Sequence, residues 1–438
     1  MDTEKFIFGK ASKKRIVVIG GGFGGIRLVQ KLHNKGFEVV LLDRNNYHTF
    51  QPLLYQVATG GLEADSIAYP LRKIFQGYKD FYFRMAVVNS IDAEAKIVNA
   101  DIGDIHYDEL VIAAGSTNNF FGLTTLAKNA MPLKTVTDAL DLRSLLLQNM
   151  ERSLTAGKAT QQFQNIIVAG GGPTGVETAG ALIELKKHVL PRDYPELNFN
   201  KTRIILAEAG PALLAGMTSF AQEKALESLK KMGVEVKLKT SVKDFDGEKV
   251  VLSDGEEIPC KTFIWSAGVK GVDMKGVEQT SIGHGNRITV DRFNRVLNME
   301  HIYAIGDIAL MIEDDYPKGH PMVAQVAIQQ ADNLAKNIVA HSKSATLKPF
   351  NYKNLGSLAT IGRNKAVAEF PFIKLKGFPA WVLWVVVHLM TLVGFRNRVI
   401  VLINWIWYYF SYDKAIRLII RPFKKVTSDE LNDEHQKN

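Results

Sequence analysis

The sequence predicts an α/β fold that contains two parallel-sheet domains and ends in a helical C-terminal region. Three observations support this fold class. Two glycine-rich turns each follow an apolar strand, a carboxylate ends the next strand in both cases, and apolar segments rich in tryptophan fill much of the chain after residue 379. The length of 438 residues leaves room for two to three domains.

The first glycine-rich turn lies near the N-terminus and has the pattern GxGxxG. Residues 16–19 form an apolar, β-branched run that predicts a buried parallel strand, and Gly20, Gly22 and Gly25 follow as the chain enters a helix. In such a turn one glycine makes the tight bend, one lets backbone approach a pyrophosphate, and one lets the helix pack closely on the strand. The helix N-terminus adds unpaired N–H groups for the phosphates.

An acid at the end of the next strand completes the pattern. Residues 39–42 are apolar, and Asp43 follows at the position expected of a carboxylate that binds a ribose 2′-OH. A glycine-rich turn alone is also a common connection between a strand and a helix. Here, however, strand, glycines, helix, second strand and acid occur in the required order, which predicts a bound dinucleotide.

The same pattern occurs a second time in the middle of the chain. Gly170, Gly172 and Gly175 repeat the spacing after an apolar run, and a further apolar run leads to Glu208. Two such units are Rossmann-type dinucleotide-binding domains, so the sequence predicts two bound dinucleotides. This combination is typical of a flavoprotein that accepts hydride from a pyridine nucleotide.

The chain has a modest basic excess, with 54 Lys and Arg against 45 Asp and Glu and a formal net charge of +9. The early part of the chain has no long basic run, and many basic residues fall near the C-terminus. This placement favours an anionic lipid surface over nucleic acid as a partner. The C-terminal basic residues are Arg396, Arg398, Lys414, Arg417, Arg421, Lys424 and Lys425.

Cysteine usage limits the redox chemistry of the polypeptide. Cys260 is the one cysteine, so an intrachain disulfide and a redox-active dithiol are both excluded. Electrons must therefore leave a bound flavin by another route. A single thiol fits a reducing compartment, and residues 1–15 lack the apolar core of a signal peptide, so we expect no export.

A loop dense in aromatic, amide and glycine residues follows Asp43 and extends to residue 61. Such a loop is a natural flavin-lining segment, and the alternative is a packed surface loop that only connects elements. Residues 81–88 and 96–99 then predict strands. Residues 246–247 and 254–255 are Asp-Gly pairs, which predict tight hairpin turns.

Three further apolar strands end in small or acidic residues, where backbone or a carboxylate can approach a ligand. They lead to Ala114 and Gly115, to Ala267 and Gly268, and to Asp307. Since open α/β sheets bind ligands at the carboxyl ends of their strands, we expect the flavin domain to be split in sequence. The predicted divisions are 1–118 and 286–350 for FAD binding, 119–285 for NADH binding, and 351–438 for membrane anchoring and dimerisation.

The C-terminal region is predicted to attach the protein to a membrane surface. Residues 380–395 and 399–410 are almost entirely apolar, but each stretch is shorter than the roughly 20 residues that a spanning helix needs. Residues 414–425 have the pattern of a basic amphipathic helix. A buried core or a dimer interface is the alternative, although the tryptophans favour a lipid interface.

The motifs resemble those of the type II NADH dehydrogenases, which are non-pumping, FAD-containing NADH:quinone oxidoreductases. The resemblance covers nearly the whole chain and is most specific at residues 170–177, 265–269, 303–307 and 324–330. It implies FAD at the first glycine turn, NADH at the second, a membrane quinone as acceptor, and a peripheral homodimer on the cytoplasmic face of the cell membrane. One departure is Ala181, where the family often has glutamate, so no role of that glutamate carries over.

The residues expected to contact the cofactors lie in the two turns, near strand ends and in the 324–330 segment that carries the family resemblance. For FAD they are Gly20, Gly22, Phe23, Gly24, Gly25, Asp43, Arg44, Val88, Ala114, Gly115, Asp307, Gln325 and Val326. For NADH they are Gly170, Gly172, Pro173, Thr174, Gly175, Glu177, Glu208, Ala267 and Gly268. We expect no metal site.

Three side chains are expected to act in catalysis: Glu177, Gln325 and Gln329. Glu177 lies early in the second motif's helix and is interpreted as orienting nicotinamide or relaying a proton; the alternative is compensation of the helix dipole. Gln325 and Gln329 share a helix face, and uncharged amides can hydrogen-bond flavin or quinone carbonyls. Their alternative role is helix packing.

The sequence therefore predicts electron transfer from NADH through FAD to a quinone, with the cofactors supplying the chemistry. One alternative is a soluble reductase that feeds a small redox protein, against which the apolar C-terminal segments argue. Sulfide:quinone oxidoreductases have a similar architecture but need catalytic cysteines. A nucleotide-sensing membrane scaffold is the alternative outside enzymes.

Overall fold

The structure is a computed structural model that describes residues 13–412, 417–419 and 421–423. The chain forms two compact units. The first unit contains residues 13–49, 68–119 and 268–356, and the second contains residues 50–67, 120–267 and the described residues from 357 onward.

Helices lie in both units. They are α1 (Phe23–Leu32), α2 (Leu54–Ala58), α3 (Ala64–Ile67), α4 (Leu71–Ile74), α5 (Thr124–Asn129), α6 (Val136–Thr155), α7 (Thr160–Gln164), α8 (Pro173–His188), α9 (Leu190–Asp193), α10 (Ser219–Met232), α11 (Ala324–Ser342), α12 (Gly377–Thr391) and α13 (Phe395–Ser411).

Strands form two large parallel sheets and several small sheets, which are antiparallel except that β21 pairs with β23 in parallel. They are β1 (Arg15–Ile19), β2 (Glu38–Asp43), β3 (Tyr47–Thr49), β4 (Ala68–Pro70), β5 (Phe81–Met85), β6 (Val88–Asp92), β7 (Ile97–Ala100), β8 (Gly103–His106), β9 (Glu109–Ile112), β10 (Ser116–Asn118), β11 (Met131–Pro132), β12 (Ile166–Ala169), β13 (Ile204–Glu208), β14 (Glu235–Leu238), β15 (Val242–Phe245), β16 (Lys249–Leu252), β17 (Glu257–Pro259), β18 (Thr262–Trp265), β19 (Val269–Gly271), β20 (Ile282–Gly283), β21 (Arg287–Val290), β22 (Ile302–Ala304), β23 (Ala309–Met311), β24 (Ser357–Gly362), β25 (Lys365–Phe370) and β26 (Ile373–Lys376).

The first unit is built on a five-stranded parallel sheet in the order β22-β9-β1-β2-β5. Ile16 of β1 lies beside Val39 of β2 and Glu109 of β9, so the chain leaves these strands at one common edge. Every residue of β1 is buried, as expected of a strand whose sheet is covered on both faces. Helices α1 and α11 pack against each other in this unit.

The second unit contains a matching parallel sheet in the order β11-β18-β12-β13-β14. Ile166 of β12 lies beside Ile204 of β13 and Thr262 of β18. Helix α8 follows β12 just as α1 follows β1, so the sequence repeat is also a structural repeat. The predicted Asp-Gly turns join β15, β16 and β17 in antiparallel pairs, which confirms the hairpins.

Three stretches group differently from the predicted domain boundaries, and one of them, residues 351–356, belongs to the first unit rather than to the C-terminal region. Residues 268–285 belong to the first unit because β19 pairs with β10 and the Ile91 N–H donates to the Lys275 carbonyl. Residues 50–67 belong to the second unit because α2 packs against α6 and α8. The single strand predicted over 81–88 is instead two strands, since the chain leaves the parallel sheet after β5 and β6 pairs antiparallel with β7.

The C-terminal helices α12 and α13 each have a buried and an exposed apolar face. The buried residues include Ala380, Trp384, Asn397, Val401 and Trp405. Within the described ranges, none of the helices is both long enough and apolar enough to span a bilayer. Much of the predicted helix over 414–425 lies outside the described residues, and residues 417–419 and 421–423, which are described, are not helical.

Candidate active site

The first glycine turn joins β1 to α1 and leaves space at one position. Gly20 has φ +107°, and an added Cβ would lie 2.4 Å from the Ala113 carbonyl oxygen, so this bend requires glycine. A Cβ on Gly25 would lie 1.9 Å from the Gly20 carbonyl oxygen, because helix and strand pack closely there. At Gly22 an added Cβ would meet no described residue within 4 Å. The space beside Gly22 thus fits a phosphate at the N-terminus of α1.

The second glycine turn, between β12 and α8, repeats this geometry. Gly170 has φ +104°, and a Cβ there would lie 2.6 Å from the Ser266 carbonyl oxygen. A Cβ on Gly175 would lie 1.8 Å from the Gly170 carbonyl oxygen. A Cβ on Gly172, the residue before α8, would again have no neighbour within 4 Å in the described part of the chain. The unit therefore offers a second phosphate position of the same kind.

Asp43 and His48 hold the backbone of the first turn. Asp43 accepts hydrogen bonds from the Gly21 N–H at 2.6 Å and the Asn45 N–H at 2.7 Å. Each carboxylate oxygen keeps a second lone pair that can accept a ribose hydroxyl. His48 Nδ1 lies 3.1 Å from the Gly21 carbonyl oxygen, and its ring contacts Phe23 edge-on. Burial lowers the pKa of His48 to about 4, so the imidazole is neutral at pH 7.

Glu208 forms the corresponding contacts in the second turn. It accepts hydrogen bonds from the Gly171 and Gly210 N–H groups, both at 2.5 Å. Ser266 Oγ donates to the Ala169 carbonyl at 2.7 Å and so ties the end of β18 to the end of β12. Neither His48 nor Ser266 is predictable as a site residue from the sequence, because neither occupies a fixed position in the motif.

Three contacts fix the turn that carries Asp307 at the end of β22. The Gly306 N–H donates to Gln330 Oε1 at 2.7 Å, and Ser116 Oγ donates to Asp307 Oδ2 at 2.6 Å. Arg287 Nε donates to the Asp307 carbonyl oxygen at 3.0 Å. The carboxylate therefore has a defined position, set by residues far away in sequence that no local spacing could reveal.

The other expected cofactor contacts also follow strand ends or begin helices. In the first unit, Phe23 and Gly24 begin α1, Arg44 follows β2, Val88 begins β6, Ala114 and Gly115 follow β9, and Gln325 and Val326 lie in the first turn of α11. In the second unit, Pro173 and Thr174 begin α8 and Ala267 follows β18, whereas Gly268 belongs to the first unit.

Glu177 is a buried carboxyl on α8, with 7 % of its surface exposed. Its Oε1 accepts a long hydrogen bond of 3.4 Å from the Thr360 N–H, and the Trp384 indole N–H lies near the carboxyl outside hydrogen-bond geometry. Burial raises the pKa of Glu177 to about 8, so this side chain holds a proton at neutral pH. A neutral carboxyl does not balance a helix dipole, which argues against that alternative.

Gln325 and Gln329 share a face of α11, but their side chains bind the following backbone. Gln325 donates to the Gly356 carbonyl at 3.1 Å and accepts from the Leu355 N–H at 3.0 Å. Gln329 exchanges the same two bonds with the backbone of Lys353, at 2.9 and 3.0 Å. Each amide thus uses one donor and one acceptor in fastening this segment, and the expectation that both amides contact flavin or quinone carbonyls stays a prediction.

The same arrangement continues along α11 in what we term the amide ladder, formed by Gln325, Gln329, Asn333 and Asn337. Asn333 Nδ2 donates to the Lys348 carbonyl at 3.1 Å, and Asn337 both donates to that carbonyl and accepts from the Lys348 N–H. Four amides at four-residue intervals span about 18 Å of helix. That length exceeds a single ring system, so the regular spacing is the sequence signal for a structural role.

A pocket in the second unit is lined by side chains of α2, α8, α12 and α13 and by the turn after β24. Six of its thirteen lining residues are aromatic, and Ala181, where the sequence departs from the family pattern, also lines it. The polar lining residues are Gln56, Thr59, Glu184 and Arg363. No motif in the sequence indicated this pocket, since its walls come from five separate parts of the chain.

Hydrogen bonds order the polar side of this pocket. The Trp405 indole N–H donates to Gln56 Oε1 at 2.7 Å, and Gln56 Nε2 donates to the Tyr55 hydroxyl at 2.9 Å. Glu184 accepts hydrogen bonds from the Tyr408 hydroxyl at 2.9 Å and the Arg363 N–H at 2.6 Å. Helix α13 is thereby bonded to both α2 and α8.

Family models match two successive parts of the chain. The model of the pyridine nucleotide-disulphide oxidoreductases matches residues 14–331, and the model of the NDH2 C-terminal domain matches residues 354–411. The first match includes both glycine turns, and the second includes α12 and α13.

Relatives and solved structures agree with these models. A type II NADH:quinone oxidoreductase of Mycobacterium tuberculosis is 35% identical, covering 90% of this chain and 86% of that protein. One of Haemophilus influenzae is 31% identical, covering 81% and 87%. NDH2 of Plasmodium falciparum in complex with NADH has the same fold, with a TM-score of 0.85, 22% identity and coverage of 92% and 99%. The chain belongs to the type II NADH:quinone oxidoreductase family.

Proposed function

We infer that the protein is a membrane-associated, FAD-dependent enzyme that transfers electrons from NADH to a quinone. The observation that carries this conclusion is the pair of dinucleotide turns, each with an open central glycine and a bound acid, in a chain of the type II family. The one cysteine, Cys260, is buried, which agrees with a reaction that uses no protein dithiol.

The residues of each turn fit the cofactor assigned to it. When bound, FAD supplies the redox chemistry, since its ring system accepts hydride and passes on two electrons. We assign its pyrophosphate to the space beside Gly22, its ribose hydroxyls to Asp43, and a further polar contact to Asp307. We assign the NADH pyrophosphate to the space beside Gly172.

Glu208 is proposed to select NADH over NADPH. Its carboxylate is fixed by two N–H groups and retains lone pairs for ribose hydroxyls, whereas a 2′-phosphate would meet a negative charge. Residues 209–212 contain no arginine that could neutralise such a phosphate.

Glu177 is proposed to supply a proton, or to orient nicotinamide, during turnover. Reduction of a quinone to a quinol takes up two protons, and a carboxyl that titrates near pH 8 can release and regain one under working conditions. Because the Glu177 carboxyl is buried, exchange of its proton with bulk water is limited.

The aromatic pocket is proposed to admit the quinone. A quinone ring can stack on the flat aromatic side chains of the pocket. Gln56 can donate a hydrogen bond to a quinone carbonyl without the desolvation cost of a charge. Gln56→Leu removes the donor at similar size, so we expect a two- to tenfold loss of quinone turnover, equivalent to about 0.5–1.5 kcal/mol, with unchanged flavin reduction by NADH.

Attachment through α12 and α13 is proposed to place the enzyme on an anionic lipid surface, as a homodimer on the cytoplasmic face of the membrane. Support comes from the exposed apolar faces of both helices and from the basic residues of the C-terminal region. The homodimer and the membrane face are expectations from the family resemblance, and the single cysteine is in keeping with a reducing compartment.

Anaerobic stopped-flow spectroscopy tests the function directly. NADH should bleach the flavin absorbance, added quinone should restore it, and NADPH should act at least tenfold less efficiently, since one charge contact at the ribose is worth over a kcal/mol. Bleaching without reoxidation by any quinone would favour a soluble-type reductase. A flavin that NADH does not bleach would leave only the scaffold alternative.

A further inference from the structure

The hairpin between β25 and β26 lies directly before the membrane-attachment helices and has a two-residue turn. Phe370 pairs with Ile373 across the hairpin, so Pro371 and Phe372 form the turn itself. Two-residue hairpin turns favour Asn-Gly, Asp-Gly and similar polar or flexible pairs. An aromatic residue at this position is therefore not explained by turn geometry.

The turn is also the most exposed apolar site of the hairpin. The Phe372 side chain is 100% exposed and the Ile373 side chain is 51% exposed. Leaving a phenylalanine in water forgoes roughly 1.5–3 kcal/mol of burial energy. Since this turn needs no apolar residue for folding, an external apolar phase explains the pair better than the fold does.

The base of the hairpin is fixed to α12. Phe370 and Leu375 pack with Trp381 of α12 against a small core that includes Ala380. Helix α12 begins at Gly377, one residue after β26 ends. Five residues of extended chain span at most about 17 Å, so the turn lies within that distance of the helix start.

Helix α12 continues the exposed apolar surface from the hairpin. Phe378, Val382, Val386 and Met390 are 52%, 40%, 50% and 61% exposed, and their four-residue spacing places them along one side of the helix. This stripe belongs to the surface already proposed to meet the membrane. The turn at Phe372 therefore borders an interface that the family assignment supports independently.

Basic residues follow the apolar turn on β26. Lys374 and Lys376 follow Ile373 on β26, and both are exposed. Lys376 interacts electrostatically with Glu227 of α10, so part of its charge is already compensated within the protein. Lys374 is therefore the better cation for contact with another surface. An apolar tip beside lysine suits the boundary between acyl chains and anionic headgroups.

We propose that the Pro371–Phe372 turn inserts into an anionic bilayer as a third attachment element beside α12 and α13, with Lys374 at the headgroup level. The proposal rests on the proposed attachment through these helices. It adds a separate element with its own contribution to binding.

Vesicle sedimentation of the full-length holoenzyme tests the contribution of the apolar tip. On vesicles containing a fifth to a third phosphatidylserine, Phe372→Ser should bind roughly tenfold more weakly than wild type. Ile312→Ser is the matched control, because Ile312 is 55% exposed but lies in the first unit. It should bind like wild type, and flavin reduction by NADH should be unchanged in both variants.

The charge component is tested by Lys374→Gln. One lysine near an anionic surface contributes about 1 kcal/mol, so this variant should bind about fivefold more weakly to anionic vesicles and equally to neutral phosphatidylcholine vesicles. An equal loss on both vesicle types would contradict the assigned headgroup contact.

Depth is measured with a fluorophore on Phe372→Cys. Cys260 is fully buried and burial raises the pKa of its thiol to about 12, so labelling is selective for an exposed cysteine. The label should shift to shorter wavelength with vesicles and be quenched by spin-labelled lipid. A label on Glu94→Cys, in the exposed turn between β6 and β7, should do neither.

The outcomes separate this inference from the attachment it builds on. If wild type fails to bind vesicles, the attachment itself is wrong. If wild type binds while Phe372→Ser binds equally and the label stays in water, the hairpin proposal is overturned. A spectral shift that depends on protein concentration without vesicles would assign the turn to a contact between two copies and would also overturn it.

Discussion

At the scale of single residues, the two glycine turns separate structural glycines from binding glycines. Gly20 and Gly170 have positive φ angles and face carbonyl oxygens, so a side chain at either position distorts the fold. Gly22 and Gly172 have ordinary extended backbone angles and open space around the missing side chain. Only the second pair can be changed to probe binding without disturbing the turn.

Gly22→Val should fold and lose FAD, because its side chain would fill the space assigned to phosphate. Steric overpacking of about 1–3 kcal/mol corresponds to roughly five- to 150-fold weaker binding. Flavin content by absorbance and secondary structure by circular dichroism are the measurements. Gly172→Val is the reciprocal control, which should keep the flavin but not be reduced by NADH. Full flavin in a folded Gly22→Val protein would refute the assignment.

Glu177→Gln should change how stability depends on pH. The free carboxyl ionises near pH 4.5, whereas the folded one keeps its proton to about pH 8, so wild-type stability falls as pH rises between these values. The glutamine variant lacks that loss and should gain on wild type by at most about 1.4 kcal/mol per pH unit, with no further gain above pH 8. Urea unfolding from pH 5 to 9 measures the difference.

The same variant reports on catalysis. If Glu177 supplies a proton, the pH profile of quinone turnover should change shape in Glu177→Gln, while flavin content stays at the wild-type level. A stability difference that is constant from pH 5 to 9 would instead show that the folded carboxyl is already ionised.

The sequence was sufficient to predict residues that belong to local patterns, but not contacts between residues that are distant in the sequence. The glycines and acids belong to short segments, so their spacing sufficed to place them at strand ends. The environment of Glu177 depends on Thr360 and Trp384, which are about two hundred residues away in the sequence. Its raised pKa results from that tertiary burial and has no signature in the sequence around it.

At the scale of elements, α11 shows that the position of a motif can be predicted while its backbone contacts are missed. Helical spacing correctly put Gln325 and Gln329 on one face, but the sequence did not show that extended backbone from residue 348 to 356 runs along that face. Amides can bind a ligand or a passing backbone equally well. The regular four-residue repeat to Asn337 was the signal that favoured backbone.

Gln329→Ala should therefore lower the free energy of unfolding. It should leave the ratio between the rates of flavin reduction by NADH and flavin reoxidation by quinone unchanged. Loss of two neutral hydrogen bonds predicts a decrease of about 1–2 kcal/mol in the free energy of unfolding. Gln329→Glu keeps the acceptor for the Lys353 N–H and should recover part of it. Stopped-flow measurement of flavin reduction and reoxidation gives the ratio of rates. A selective loss of reoxidation by quinone would restore the catalytic interpretation.

At the scale of the whole molecule, the C-terminal helices, which are proposed to attach the protein to a membrane, are also part of the second unit. Asn397 of α13 donates to the carbonyls of Asp65 and Ser66, and Trp405 binds Gln56. Composition alone indicated the membrane role, but it could not show that one face of each helix is buried. Deleting residues 379–438 would remove these hydrogen bonds and the buried faces of both helices. A truncated protein therefore cannot distinguish a loss of membrane attachment from a loss of folding.

Charged substitutions on the exposed faces provide that separation. Val386 of α12 and Ile403 of α13 are 50% and 59% exposed, so glutamate at both positions should change stability little. Two apolar contacts with lipid are lost and two carboxylates face an anionic surface, so vesicle binding should weaken at least roughly tenfold. Ile312→Glu, on the first unit, is the control and should bind normally.

The variant with glutamate at both Val386 and Ile403 should keep some activities of the enzyme and lose another. Flavin reduction by NADH depends on the glycine turns and should remain, and a short-chain, water-soluble quinone should still be reduced. A long-chain quinone stays in the bilayer, so its turnover should fall with the fraction of enzyme released. Assays of both quinones at matched vesicle concentration measure this. If the long-chain quinone is reduced at the wild-type rate by enzyme that no longer sediments with vesicles, the helices do not deliver the enzyme to its acceptor.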